Sequence, residues 1–444
     1  MNRPATHEPP ETGVVAALNH EGAGIVHGGK TVFVPGALPR ERIRFRRTKR
    51  HRQHDDAELI EVLEPSPDRV EPRCAHFGVC GGCALQHLSP SAQIAAKQDE
   101  LRDALERIGR VRPAEWLAPL QGPAWEYRRR ARLGSRYVAK KGRALVGFRE
   151  RFSAYVAALQ RCEILAPPVG ALPGALSELL TTLAIRERVP QIEVAVGEEG
   201  AALVLRALQP PTADDAARLR AFGKAHGVRW FIQEGGIGSI RPLDPSEPGE
   251  SDDLAYHLPQ FDLSLRFSPA DFVQVNPAIN RALVALAVEL LRPTRDARVL
   301  DLFCGLGNFT LPLARVAAHA TGVEGEAALI ERARANARAN GIGNASFHTA
   351  DLSVAPGPGT AWMRERYTHV LLDPPRAGAL PVLPAIAELA PERVLYVSCH
   401  PGSLARDLAV LVHEHGLRLQ AAGVIDMFPH TTHVESVAML ERSP

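Results

Sequence analysis

The chain has 444 residues, 45% of them hydrophobic, with 52 Lys and Arg against 50 Asp and Glu. That is apolar material for folded domains, about three of them by length, and it excludes a disordered or polybasic chain. No run of about 18 apolar residues is present to span a bilayer, so a cytoplasmic protein without membrane association is expected.

Residues 1–11 are polar and Pro-rich and are expected to be a disordered tail. Residues 12–66 carry short apolar runs, Gly13 to Leu18, Thr31 to Val34 and Glu58 to Leu63, separated by Gly and Pro. That pattern predicts a small all-β barrel of OB-like type. Residues 40–52 hold eight Lys or Arg against one acid, Glu41. In Arg42-Ile-Arg-Phe-Arg46 a strand places Ile43 and Phe45 on one face and the arginines on the other, a basic face suited to an RNA backbone or simply to solvent.

Glu64 to Arg73 reads as a Pro-rich linker. Cys74, Cys80 and Cys83 follow, with glycines at 78, 81 and 82 that let a loop bend until three thiolates converge. In a chain with no secretion signal, such crowding points to metal rather than disulfides. Cys162 is the remote cysteine without another assignment. Three clustered cysteines and one distant one suit an iron–sulfur cluster, while His76 and His87 keep a zinc site open.

Ser89-Pro90 reads as an N-cap and first helical residue, and Gly109 closes the helix begun there. Residues 67–270 form a mixed α/β central domain, with strands Ala144 to Phe148, Gln191 to Val196 and Ala201 to Leu208 and a helix over Ala213 to His226. Trp125 and Tyr127 beside Arg128-Arg129-Arg130 suit single-stranded RNA, where bases stack and phosphates pair; a solvated basic surface is the alternative. Residues 243–253 read as an exposed loop.

From Phe272 the pattern alternates strand and helix. The strands are Val299 to Phe303, Ala320 to Glu324, Ala345 to His348, Val370 to Asp373 and Val394 to Ser398. This predicts a doubly wound, Rossmann-like parallel sheet over 271–444, with ligands beyond the carboxyl ends of its strands. The first strand runs into Gly305 and Gly307, with Asp301 inside it and Thr310 where a dinucleotide fingerprint has its third glycine. A carboxylate there disfavours a phosphate and favours a cationic ligand such as S-adenosylmethionine (SAM); an ordinary nucleotide turn is the alternative.

Glu324 is placed for ribose hydroxyls and Asp351 for the adenine edge. In Asp373-Pro-Pro-Arg-Ala-Gly378, Arg376 stands where amino-directed methyltransferases place an aromatic residue, and the cysteine of cytosine-C5 enzymes is absent. Cys399 follows the fifth strand and precedes a helix, whose N-terminus lowers a thiol pKa. A thiolate added to carbon 6 of a uracil turns carbon 5 into a nucleophile, and a base must later remove the carbon 5 proton. Glu435, opening the last strand-like run, is the candidate base. Cys304 is taken as structural. Each of these residues also has a plain reading, as core thiol or surface acid.

With D-F-V-Q-V-N at 271–276, D-L-F-C-G-L-G-N-F-T, D-P-P-R-A-G, V-S-C-H-P and F-P-H-T-T-H-V-E-S in view, nearly the whole chain resembles the RNA uracil-C5 methyltransferases that carry a TRAM domain and an iron–sulfur cluster. Those acting on 23S ribosomal RNA are the nearest resemblance. It implies that Cys74, Cys80, Cys83 and Cys162 hold a [4Fe-4S] cluster. It implies SAM contacts from Gln274, Phe303, Asn308, Glu324, Asp351 and Asp373, with Cys399 as nucleophile and Glu435 as base. It also implies that the helix at about 90–111 packs on the catalytic domain. His400 stands where the family often has Asn, and Pro375 where it often has Ala. No obligate protein partner is implied. The same chemistry on another rRNA or a tRNA uracil is one alternative; an RNA-binding assembly factor without catalysis is another.

Overall fold

The computed structural model describes residues 9–245, 251–357 and 359–442. Most of the expected tail and part of the 243–253 loop lie outside them; strand pairing begins at Glu11. The chain divides into two compact units. The first holds residues 1–100, 149–155 and 429–432; the second holds the rest.

In the first unit β1 (Glu11–Leu18), β2 (Ala23–Val26), β3 (Thr31–Pro35), β4 (Arg42–Arg50) and β5 (His54–Glu64) close a barrel in the order β1-β2-β3-β5-β4. Val15, Val26, Val32, Val34, Ile43 and Phe45 fill it. Ile43 and Phe45 point inward and Arg42 and Arg44 outward, as period-two alternation requires. The outward arginines do not form a bare basic face. Arg42 pairs with Glu64 at 3.0 Å, Arg44 with Glu61 at 3.0 Å and Arg46 with Glu58 at 2.9 Å, all across the β4–β5 ladder. Arg47 pairs with Glu11 at 2.7 Å and Asp55 at 2.5 Å.

The helix α1 (Pro90–Ala104) starts at Ser89, whose Oγ accepts from the Ala92 amide at 3.4 Å. It runs into a wider turn, Leu105–Gly109, and stops at Arg110 with φ 51°. Leu101, Ala104, Leu105 and Val111 lie in the same hydrophobic core as Leu300, Val370 and Leu404 of the second unit. A Cβ on Gly109 would meet the Ala405 carbonyl at 2.7 Å. Glycine is therefore needed where this turn crosses the helix Pro401–Ala409.

A six-stranded sheet occupies the middle of the second unit. The aromatic–arginine stretch is not an exposed patch there. Tyr127 is buried, Arg128 donates to the Arg130 carbonyl at 2.9 Å, and Arg130 donates to the Pro269 carbonyl. Tyr127, Arg128 and Arg130 are thus engaged within the fold.

The eight-stranded sheet follows the order Ala345–Thr349, His319–Glu324, Arg298–Leu302, His369–Leu372, Arg393–Ser398, Glu435–Arg442, Leu417–Ile425, Glu115–Trp116. The first five strands are parallel. Glu435–Arg442 runs antiparallel to both neighbours. Order reverses beside Arg298–Leu302, the crevice where open α/β sheets bind ligands. No helix among the described residues is long and apolar enough to cross a membrane.

Candidate active site

The glycine turn follows Leu302. Phe303, Gly305 and Gly307 have φ of 66°, 55° and 97°. A Cβ on Gly305 would face open space, so the turn is bent without being packed against. Glu324, ending the neighbouring strand, accepts from the amides of Gly305 at 3.1 Å, Gly325 at 2.7 Å and Glu326 at 3.1 Å. It holds the turn while keeping carboxylate lone pairs to spare.

Asp301 is fully buried. Its Oδ2 accepts from Thr310 Oγ at 2.5 Å, so the residue replacing the third fingerprint glycine is a hydroxyl aimed at the buried acid. Its Oδ1 has no partner among the described residues. Burial, then Asp373 and Glu324 nearby, push its pKa up to about 8.

Asp373 begins the loop after His369–Leu372, and Gln274 Nε2 donates to its Oδ2 at 3.4 Å. Burial raises its pKa to about 7. Asp351 is exposed, its carboxylate accepting from Ser353 N at 2.8 Å and Ser353 Oγ at 2.6 Å, which hold its pKa down. Asn308 is engaged within the protein: it exchanges hydrogen bonds with Asn280, both at 2.9 Å, and accepts from Tyr256 Oη at 2.8 Å. Sequence reading did not single out Asn280 or Tyr256; the polar Asn280 inside the apolar helix Pro277–Leu291 was the available signal.

The two remaining residues lie just past the end of one ladder. Ser398 pairs with Ser436 in the antiparallel ladder between Arg393–Ser398 and Glu435–Arg442. Cys399 and Glu435 each lie one residue beyond that last pair, near enough for the carboxyl to act on the thiol electrostatically. Cys399 is half-buried and Glu435 buried. Burial, then Asp373, raise the Glu435 carboxyl to about 8, against the opposing pull of Arg376. The helix Pro401–Ala409 starts just past the thiol, capped by His400 Nδ1, which accepts from Ser403 N at 3.1 Å. The expected lowering of the thiol pKa is nevertheless reversed: burial first, then Glu435 and Asp373, raise it. One helix end is outweighed by burial and two carboxyls. Arg376 is the nearby cation that acts the other way, and its guanidinium bonds His433 Nδ1 at 2.7 Å. Cys304 is buried with its pKa raised by that burial, as a structural thiol should be.

The donor set fits a cationic ligand. It offers an unpartnered carboxylate oxygen on Asp301, three carboxyls whose protons are held high by burial, and a glycine turn with open space beside it.

In the first unit, Cys74, Cys80 and Cys83 are each half-buried. The Gly82 amide donates to Cys80 Sγ at 3.4 Å, a contact that favours a thiolate. His87 is buried with neither ring nitrogen partnered among the described residues, and burial lowers its pKa to about 4. In the second unit Cys162 is buried, its amide bonded to the Gly170 carbonyl at 2.7 Å. The ligand atoms of His51, His54 and Asp56 lie within 4.8 Å of one another, close enough to share an ion.

A profile of the tRNA (Uracil-5-)-methyltransferase family matches residues 255–443. The 23S rRNA (uracil(1939)-C(5))-methyltransferase RlmD of Methylococcus capsulatus is 52% identical over 429 residues, covering 96% of each chain. RlmD of Nitrosococcus oceani is 49% identical over 444 residues, covering 99% of this chain and 98% of that one. The chain belongs to the tRNA/rRNA uracil-5-methyltransferase family. A solved Pyrococcus abyssi tRNA (uracil-54, C5)-methyltransferase, in complex with S-adenosyl-L-homocysteine, shares the fold: TM-score 0.73 at 23% identity, over 97% of this chain and 100% of that one.

Proposed function

We propose that this chain methylates carbon 5 of a uracil in 23S ribosomal RNA, giving 5-methyluridine. The observation that supports this most is the nearness of Cys399, Glu435 and Asp373, which act on one another electrostatically just past the end of the Ser398–Ser436 ladder. The relatives named RlmD support the 23S target.

SAM supplies an electrophilic methyl group on a sulfonium. Phe303 and the glycine turn shape its berth, and Gln274, Glu324, Asp351 and Asp373 bind it, with Asn308 setting the turn through Asn280. Cys399 gives up its proton to solvent and adds as thiolate to carbon 6 of the uracil, whose 5,6 π pair moves to form an enolate. Carbon 5 then takes the methyl, which would leave the sulfonium with its bond pair staying on sulfur, releasing S-adenosylhomocysteine. Glu435, as carboxylate, removes the carbon 5 proton; the electron pair reforms the 5,6 double bond and expels the Cys399 thiolate. Arg376 offsets the negative charge that thiolate and carboxylate share.

We further assign a [4Fe-4S] cluster to Cys74, Cys80 and Cys83, with Cys162 as the fourth thiolate the sequence offers. The five-stranded barrel is read as a TRAM-type RNA module, residues 67–270 as the segment bearing the cysteines, and 271–444 as the catalytic segment. Anaerobically purified protein should contain iron and sulfide in equal amounts; bound zinc without iron would refute the cluster.

The decisive experiment is Cys399→Ala, assayed on 23S ribosomal RNA and on tRNA from cells lacking the protein. Methyl transfer should fall by at least about 10³-fold, since nothing else can add to carbon 6, while RNA affinity stays within a few fold. Undiminished turnover would end the covalent mechanism, and methylation of tRNA alone would reassign the substrate.

A further inference from the structure

The cysteine loop is hydrogen-bonded to a segment the reaction does not use. Gly81 N donates to the Arg149 carbonyl at 2.8 Å and Arg151 N to the Val79 carbonyl at 2.9 Å. The two strands of chain form an antiparallel bridge at Cys80 and Glu150. A Cβ on Gly81 would meet the Arg149 carbonyl at 2.9 Å, so glycine permits the close approach. The 149–155 segment is braced from within: Glu150 N donates to the Tyr155 carbonyl at 2.9 Å. Ser153 Oγ donates to Glu150 Oε2 at 2.7 Å and accepts from Tyr155 N at 3.0 Å. A loop this well tied still turns two large rings outward. Phe152 is 72% exposed and Tyr155 67%. The guanidinium of Arg151 lies over the Phe152 ring, 5.3 Å from its centroid, and donates to the Glu21 carbonyl at 3.2 Å. One face of Phe152 is covered by a cation that the backbone fixes in place.

We propose that the 149–155 loop, held by the cysteine loop, is a stacking platform for unpaired nucleobases of the RNA substrate, with Phe152 and Tyr155 as its rings. This rests on the reading of the chain as an RNA methyltransferase. Exposing two aromatic side chains forgoes hydrophobic stabilisation, and bases are flat partners that restore it. The rings are separated by Ser153 and Ala154, two small residues, and preceded by Arg149 and Arg151. That mixture suits stacked bases with phosphates at the rim; a protein-binding face calls for a continuous apolar patch. A centre held by Cys74, Cys80 and Cys83 would fix the bridge at Cys80 and so the rings, a task that needs no electrons.

The test uses the full chain, without SAM, and a single-stranded RNA oligomer carrying 2-aminopurine, whose emission falls when the base stacks. Wild type should quench it. Phe152→Ala with Tyr155→Ala should weaken binding at least about 5-fold, the low end for one lost base stack, and abolish the quench. Phe152→Trp with Tyr155→Phe should keep both. With SAM present, the alanine pair should raise KM for RNA and leave kcat at saturating RNA unchanged. Binding within twofold of wild type with an unchanged quench would overturn the platform. So would loss of a protein partner by the alanine pair with RNA affinity intact. Failure of wild type to methylate any RNA would sink the functional reading while the quench still tested the platform.

Discussion

Glu41 in the barrel and Asp301 in the catalytic sheet are both fully buried carboxyls, and they are treated in opposite ways. Burial works against charge on Glu41. Yet Arg69 reaches it through Nε at 2.5 Å and Nη2 at 2.8 Å, and the Leu38 amide at 2.8 Å, and its pKa ends below the ordinary value. Asp301 has one hydroxyl, Asp373 one amide at 3.4 Å, and these two acids and Glu435 sit at about 8, 7 and 8. The barrel acid brings its cation with it. The sheet acids share a small region with a thiol and wait for positive charge to arrive with a ligand. Buried charge that is paired serves the fold, and buried charge left unpaired marks where a partner binds.

Glu435→Gln should break the site most visibly after loss of the thiol itself. Cys399 can still add and the methyl still transfer, but nothing removes the carbon 5 proton. Turnover should fall by about 10²–10⁴-fold, and a covalent protein–RNA adduct should build up on denaturing gels. A variant that turns over normally and leaves no slow-migrating band would move the base elsewhere.

The same amide replacement should act with opposite sign in the two regions. Glu41→Gln leaves Arg69 without its counter-charge and should cost about 3 kcal/mol, the scale for breaking a buried pair. Asp301→Asn removes a carboxyl whose folded pKa stands above its unfolded one. Such a group stabilises fully below about pH 4, and that contribution is lost as pH rises toward 8. The Asn variant should therefore match wild type near pH 4 and unfold at progressively higher temperature than wild type up to pH 8, measured without SAM. Equal melting at pH 8 would show that Asp301 is ionised at no cost.

A cation entering beside three such carboxyls lowers their pKa values. At pH 7 SAM binding should therefore release protons, so that the calorimetric enthalpy shifts between buffers of different ionisation enthalpy. Proton uptake would contradict the arrangement at the sheet's end.

Much of this was legible in the chain. The Ala213–His226 helix matches its sequence pattern end to end, because Thr212 caps it and Gly227 stops it. The glycine turn, Glu324, Asp373, Cys399 and Glu435 all fall at strand ends, since motif spacing follows the alternation of strand and helix. What sequence spacing hid was pairing at a distance. The acids that neutralise the arginines of β4 come from β5 and, for Arg47, also from Glu11 of β1, and Asn280 and Tyr256, which occupy Asn308, come from 28 and 52 residues away. Arg128 to Arg130 read as surface because three cations in a row seldom turn inward, yet carbonyls such as that of Pro269 receive them. The thiol pKa departs from expectation for the same reason: the helix end is local in sequence, whereas the burial and the carboxyls that raise the pKa come from distant residues.

The β4–β5 ladder gives the smallest effect and the sharpest check on the comparison. Arg44 and Glu61 pair at 3.0 Å with side chains 46% and 52% exposed, so solvent screens them and Arg44→Ala should cost under about 1 kcal/mol of stability. Its effect on RNA is more telling. If Glu61 neutralises Arg44, removing the arginine should change RNA affinity little, whereas Glu61→Ala frees a cation on the same face. That variant should bind RNA a few fold more tightly at low salt, with a salt slope steeper by up to about 1. Weaker binding by Glu61→Ala would mean that the acid positions Arg44 for phosphate instead of occupying it, and the barrel's paired charges would then belong with the functional ones.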